Sequence, residues 1–304
     1  MIAILNFLVF SVFLGAVAAG TKAKPHAHQG MLKQFDGKHI PYRINLDQDD
    51  KLSAGNPVTI NERTGSQGRG VVIQDIAAPP QVCMDRIADL TNYPKMVPKV
   101  KKVEIYDRET FENGTTSLGA SFEVGISLLT FNYYLLLRHD PSYQTFTWTL
   151  DYKYSSDFDD NVGHWQVMPH PTKEGWSRVL YSCAIQLPPW VPNFVINFLS
   201  KSALVETTTW LRKESERVMS DPNLLAKVTA AAAAAVRVPD VRACFFRDEA
   251  SGEARYDTHC VDTIVSSNGS GTTDRSSDRS SGGSVASRGG VVGDREKDNT
   301  RQEL

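Results

Sequence analysis

The sequence predicts an α+β fold in which a curved antiparallel sheet wraps around one long C-terminal helix, with two short helices after the first strand. Three observations predict it. Between Val100 and Leu187, apolar and polar side chains alternate in run after run, the period-2 signature of half-buried strands. The turns between those runs are short, as at His139-Asp140-Pro141 and Pro169-His170-Pro171, so the strands should form an antiparallel meander. A long helical stretch, about Pro192 to Met219, then supplies the only apolar surface large enough to cover one face of such a sheet.

Taken in order, the chain begins with an apolar run from Ile2 to Ala19, interrupted only by Asn6, Ser11 and Gly15. Ala16-Val17-Ala18 and Val17-Ala18-Ala19 both fit the small-residue pattern of a signal-peptidase site. The strongly apolar core ends near Val17, short of the roughly 20 residues a membrane span needs. Residues 1–19 therefore read as a signal peptide, although only the amino terminus supplies positive charge ahead of the run. Residues 20–56 form a polar leader with little periodicity, expected to be loosely ordered. His26 and His28 lack nearby carboxylate or Cys partners there and read as solvated side chains.

The folded domain is expected at residues 57–219. Val58–Asn61 and Val71–Ile76 read as strands around a Gly-rich turn, Gly65 to Gly70. Pro79-Pro80 opens a helix, since proline is tolerated in a first turn, and Val82, Cys83, Arg86, Ile87 and Leu90 give it a stripe. A second helical turn, Asn92–Pro98, follows. The strands then run 100–107, 117–128, 131–139, 145–154, 161–168 and 177–187. In the final helix Phe194, Val195, Phe198, Ser202, Val205 and Thr209 share one side, with Lys201, Glu214, Glu216 and Arg217 on the wet side. Asp221-Pro222 ends it. Residues 220–261 read as an Ala-rich helical extension and tail. Residues 262–304, rich in Ser and Gly, lack the apolar surface that would offset ordering entropy and are expected to be disordered.

A net charge of −2 speaks against a general nucleic-acid binder. Passage through an oxidising lumen would make Asn113-Gly114-Thr115 and Asn268-Gly269-Ser270 candidate glycosylation sites. It would also allow Cys244 and Cys260, both in polar surroundings, to form a disulfide closing a loop of about 15 residues. Cys83 and Cys183 lie in apolar patterns and read as buried thiols.

Two stretches carry a family resemblance. Ile73-Gln74-Asp75-Ile76-Ala77-Ala78-Pro79-Pro80-Gln81-Val82 is a strand running into a helix. Leu90-Thr91-Asn92-Tyr93-Pro94-Lys95-Met96-Val97-Pro98-Lys99-Val100 is a helix running into a strand. With the proline-led final helix, they resemble the START-like (SRPBCC) superfamily, and within it the coenzyme Q-binding and polyketide cyclase/dehydrase branch. The resemblance spans residues 70–218 and rests on structural rather than catalytic motifs. It implies the helix-grip fold, with a cavity between the sheet and the last helix.

The alternation itself points Phe122, Val124, Tyr133, Leu135, Phe146, Trp148, Tyr152, Trp165 and Tyr181 to the concave face, along with Val103, Ile105, Ile126 and Val179. Phe194, Phe198 and Ser202 oppose them from the helix. Aromatic rings with OH or NH handles suit a pocket that is apolar yet orients a head group; the competing reading is a solid core. Burying ten methylenes would contribute roughly 8 kcal/mol before ordering costs, enough to draw a lipid-like ligand into such a pocket. Trp190 and Val191 form a candidate lip. Lys99, Lys101 and Lys102 would add about 1 kcal/mol per charge at an anionic membrane. Transient membrane contact is one reading of these residues; the bland alternatives are a strained loop packed on the core and an ordinary solvated strand edge.

No nucleophile elbow, zinc-binding helix, phosphate loop or cofactor motif is present. Asp157, Asp159 and Asp160 cluster in a turn. His164 and Glu206 would make an acid/base pair only if both faced the cavity, and alternation turns His164 outward. The expected function is binding of a lipid or isoprenoid quinone-like molecule. The alternatives are a cyclase or dehydratase on a hydrophobic substrate, or an interaction module with a filled core. The terminal Arg301-Gln302-Glu303-Leu304 departs from an ER-retrieval signal at the glutamine, leaving secretion, the ER lumen and a complex plastid all open.

Overall fold

The computed structural model describes residues 25–64, 67–191, 203–232 and 239–269. The expected signal peptide, part of the Ala-rich run and the tail beyond Gly269 lie outside them. A short strand, β1 (Arg43–Ile44), and helix α1 (Leu46–Ser53) come first, followed by the hairpin β2 (Val58–Thr64) and β3 (Gln67–Ile76). Asn45 caps α1 by accepting from the Gln48 amide, and the Gln48 side chain returns the bond. At Pro79-Pro80 the chain leaves the sheet, because neither residue can donate to the ladder. Pro80 instead starts α2 (Pro80–Ala88), and a 3₁₀ turn at Leu90–Asn92 leads into α3 (Tyr93–Met96).

The meander follows as β4 (Val100–Thr110), β5 (Thr116–Ile126), β6 (Leu129–Asp140), β7 (Thr145–Leu150), β8 (Asp160–Pro169) and β9 (Ser177–Gln186). Each pairs antiparallel with the next, and β9 pairs back on β3. The eight-stranded order is β2-β3-β9-β8-β7-β6-β5-β4. Two helices, α4 (Ala203–Ser220) and α5 (Pro222–Ala232), come next. Then β10 (Phe245–Arg247), β11 (Ala254–Tyr256) and α6 (Thr258–Gly269) end the described chain.

The inner face of the sheet packs against α2 and α4. Leu118, Ala120, Phe122, Leu135, Leu137, Phe146, Trp165 and Val179 meet Val82, Cys83 and Ile87 of α2 and Trp210, Leu211 and Val218 of α4. The seam of α4 is rotated from the expected one. Val205 and Thr209 face solvent, whereas Thr208, Leu211, Ser215 and Val218 are buried. Trp210 and Leu211 bring large apolar side chains into the buried seam, beside the small Thr208 and Ser215. Glu214, expected on the wet side, is buried and pairs with Arg217 at 2.8 Å.

The leader is not loose, and the C-terminal segment is not an unstructured tail. The outer face of β2, β3, β8 and β9 presents Val58, Val71, Ile73, Met168 and Leu180. It is covered by Tyr42, Ile44 and Leu52 from the leader and Val241, Tyr256 and Val261 from the C-terminal segment. Strands buried on both faces need two covers. The two covers also share a small sheet of order β1-β11-β10, and a disulfide joins Cys244 to Cys260. Residues 262–269, expected to be disordered, belong to α6.

Polar latches fix this second cover. Asp160 is fully buried. Its carboxylate accepts the amides of Met31 and Leu32 at 2.7 Å each, and the Tyr152 hydroxyl and Asn161 amide at 2.8 Å each. Gln166 accepts the Ile40 amide at 2.7 Å. Arg178 binds Asp75 through two nitrogens at 2.7 and 2.9 Å and reaches Asp49 of α1 at 2.9 Å. His170 Nδ1 accepts the backbone amides of Thr172 and Lys173, so its Nε2–H is the donor to Asp75 at 2.9 Å. Burial by itself would raise the Asp75 pKa, but the bonds from Arg178 and His170 bring it down to about 2.

Candidate functional site

The inner face divides into a closed half and an open half. In the closed half Phe146 is 1% exposed, and Phe122, Leu135 and Trp165 are also buried. These four, expected to line a cavity, belong to the buried cluster that the sheet shares with helices α2 and α4. Toward the β5–β6 turn the same face loosens. Val124, Tyr133, Trp148, Tyr181, Cys183 and Ile185 are only partly buried.

Register explains why these residues converge. Phe122 faces Tyr133, Trp148 faces Gly163, Gly163 faces Cys183, and Trp165 faces Tyr181. Trp148 lies across Gly163, where a Cβ would fall 1.8 Å from its ring. Its indole N–H donates to Asn161 Oδ1 at 3.0 Å, and its ring stacks on Tyr181 at 5.8 Å between centroids. Phe122 and Tyr133 stack at 5.3 Å with an interplanar angle of 2°, and Phe158 closes on Tyr133 at 4.9 Å. Desolvation pushes the phenols of Tyr133 and Tyr181 above their ordinary range and the Cys183 thiol up to about 11. All three are therefore neutral at physiological pH and act as weak polar handles rather than nucleophiles.

Other candidate residues fall elsewhere. Phe194, Phe198 and Ser202 lie outside the described residues. Tyr152 flanks the inner cluster but stands past the end of β7, where alternation stops, and ties its hydroxyl to Asp160 beside the leader. Val191 is buried with Ile126, Phe131 and Phe158, so it is not a surface residue of the lip. Trp190 is 60% exposed, its ring parallel to Phe131 at 6.2 Å. Lys99 pairs with Glu206 and Lys102 with Glu104, while Lys101 donates to Thr130 at 2.8 Å.

Asp157 accepts the Asn132 amide and Asp160 is saturated by four donors, so the acidic turn is a structural latch. His26 bonds the Asp159 carbonyl at 2.8 Å rather than standing in solvent. His164 lies on the outer face stacked under Phe35 at 5.0 Å, with the sheet between it and Glu206. Asn113 is exposed in the β4–β5 turn and accepts the Thr115 amide at 3.0 Å; Asn268 lies near the end of α6. Sequence reasoning passed over Cys183, Asn161 and Phe158. Cys183 continues the alternation of Tyr181 by one step and Asn161 that of Trp165 by two, a signal that was available. Phe158 arrives from a loop and had none. Among the described residues no group of His, Cys, Asp or Glu could hold a metal ion, and no helix is long and apolar enough to cross a membrane.

Residues 76–212 match the family described as polyketide cyclase / dehydrase and lipid transport. The fold over these residues is START-like. The match begins at the end of β3 and ends within α4, so it covers the meander, α2 and the first half of α4. Solved structures similar to the START-like domain include a START superfamily protein from Mycobacterium smegmatis, at 15% identity and a TM-score of 0.42, covering 49% of this chain and 98% of that one. The Zhui aromatase/cyclase from a Streptomyces species is similar at 13% identity and a TM-score of 0.42, covering 54% and 96%. A STAR-related lipid transfer protein from Xanthomonas axonopodis is similar at 11% identity and a TM-score of 0.39, covering 53% and 92%. No curated protein matches the chain.

Proposed function

We propose that the START-like domain holds a hydrophobic small molecule, of lipid or isoprenoid type, at the open half of its inner face, and that it acts as a container rather than an enzyme. One observation carries the reading. Toward the β5–β6 turn, helices α2 and α4 leave Val124, Tyr133, Trp148, Tyr181, Cys183 and Ile185 only partly covered. This surface is apolar and ringed by stacked aromatics, and its OH and SH groups, kept neutral by burial, suit orienting a head group. The family match adds support, since its description joins lipid transport to cyclase chemistry.

A cyclase or dehydratase would need ionisable groups converging on the substrate. Among the described inner-face residues the imidazole is that of His139, at the far end of β6 beside Phe146. It stands six residues, about 20 Å, along the strand from Tyr133. We also propose a secretory route, supported by the apolar N-terminal run and by a disulfide of the kind that persists in oxidising compartments.

Mass spectrometry of solvent extracts from the purified protein should reveal a co-purified lipophilic molecule. Val124→Trp, which fills the open half, should weaken uptake of a lipophilic fluorescent probe by about tenfold or more while leaving the circular dichroism unchanged. A protein that is empty and takes up no probe would sink the reading.

A further inference from the structure

The open half ends at two exposed apolar side chains on neighbouring loops. The β5–β6 connection is a two-residue turn, Ser127-Leu128, between the paired residues Ile126 and Leu129, with Ser127 at φ 57°. This turn holds Leu128 98% exposed. Isolated surface leucines are ordinary, but one standing wholly exposed at a hairpin tip, at the same end of the sheet as an exposed Trp, is not. Trp190 lies against Phe131, and Phe131 shares an apolar cluster with Ile126, Leu129 and Val191. That cluster runs directly into Val124, Tyr133 and Ile185 of the open half. Lys101 flanks the tip, its stem laid over Gly125 and its ammonium on Thr130.

We infer that this end of the domain docks on an anionic lipid surface, with Leu128 and Trp190 entering the interface and Lys101 meeting the head groups. The inference rests on the proposed ligand-binding function, because docking here sets the open half against the bilayer. The chemistry favours lipid over a protein partner. Two separate protruding side chains do not make the flat, contiguous patch of a protein interface, but they can each enter a fluid one. An indole ring prefers the membrane–water boundary, and a neighbouring ammonium gains from anionic head groups. The surface differs from the one the sequence suggested. Leu128 enters it, Val191 is buried beneath it, and Lys99 and Lys102 are engaged by Glu206 and Glu104.

The test places a reporter at the tip of the full chain. L128C carrying a polarity-sensitive fluorophore would be mixed with vesicles of phosphatidylcholine alone or with about one-third phosphatidylserine. Selective labelling is feasible, because Cys83 is buried, burial pushes the Cys183 thiol up to about 11, and Cys244 and Cys260 are joined. The same label at E112C, in the turn at the opposite end of β5, is the control. The expected result is a blue shift and quenching by brominated lipid at position 128 but not at 112. The effect should be stronger with phosphatidylserine, with Trp190→Ala and Lys101→Gln each weakening vesicle affinity several-fold. Because the label reports its own surroundings, binding through another segment would not mimic this.

No shift at position 128, or an equal shift at 112, overturns docking. So does a shift at 128 that grows with protein concentration without vesicles, which would make the tip a protein contact. The container reading is separate, since probe uptake is measured without vesicles. A silent position 128 with uptake intact sinks docking alone, and a responsive position 128 in a protein that takes up nothing sinks the container alone.

Discussion

Gly163 illustrates how a single backbone position shapes the open half. Trp148 can lie across β8 and still reach Asn161 only because no side chain rises from Gly163. A Cβ 1.8 Å from the indole would force the ring off its rotamer or the strands apart. Gly163→Ala is therefore expected to cost about 1–3 kcal/mol in urea denaturation, as overpacked sites do. It should also weaken probe uptake, since Trp148 and Tyr181 would no longer stack. A variant as stable as the parent would show that Trp148 has room to move, and that the site is less closely fitted than its geometry suggests.

At the scale of elements, the second cover is the feature that most needs a cause. Helices α2 and α4 bury the inner face, and the leader with β10, β11 and α6 buries part of the outer one. The Cys244–Cys260 bridge spans a sequence separation of 16 residues within that cover. Loops of this length are worth about 3 kcal/mol when cross-linked. Replacing both cysteines by serine should destabilise the cover before the sheet. Hydrogen exchange should show protection lost in residues 25–56 and 239–269 while β4 to β7 keep theirs. Uniform loss across all strands would instead mean that the two layers unfold together in one cooperative step.

At the scale of the whole molecule, buried histidines tie the cover to the sheet and make its stability depend on pH. His39 sits between Tyr143 and Tyr256, bonded to the Tyr143 carbonyl and to the Tyr256 hydroxyl at 2.6 Å. Burial lowers its pKa from 6.5 to about 3, and lowers that of His164 from 6.5 to about 4. Both pKa values fall below that of the unfolded chain, so the unfolded chain takes up protons first as pH drops. Their contribution is complete above 6.5 and is lost between there and about 4 to 3. Asp75 adds a later loss, since its stabilisation fades only as pH falls from 3.8 toward 2. A tenfold change in a protonation equilibrium is worth about 1.4 kcal/mol, so stability should drop by about a few kcal/mol between pH 7 and 4.5. His164→Gln should flatten that profile, and a denaturation midpoint unchanged across this range would contradict the burial argument.

Much of the domain was legible because its signals are local. Alternation in 100–187 marks the six strands of the meander and puts Tyr133, Trp148 and Tyr181 on one face, while the prolines at 79 and 80 mark where the sheet ends. What alternation could not supply was how deeply each residue on that face is covered. Phe146 and Tyr133 carry the same pattern, yet one is sealed beneath α2 and α4 and the other keeps open surface. The seam of α4 was misplaced for a similar reason: Val205 has the right spacing, but Trp210 and Leu211 have more area to bury.

The sequence by itself determined the strands of the main sheet, their order along the chain and the face that most of their side chains take, because those follow from a period of two and from prolines that cannot donate. Only the tertiary structure decided that the sheet has two covers, that the open half lies toward Ser127-Leu128, and that Leu128 rather than Val191 stands exposed at the same end as Trp190. Burial is a property of what packs on top, and here the covering segments come from residues more than a hundred positions away, as the bonds from Met31 and Leu32 to Asp160 show.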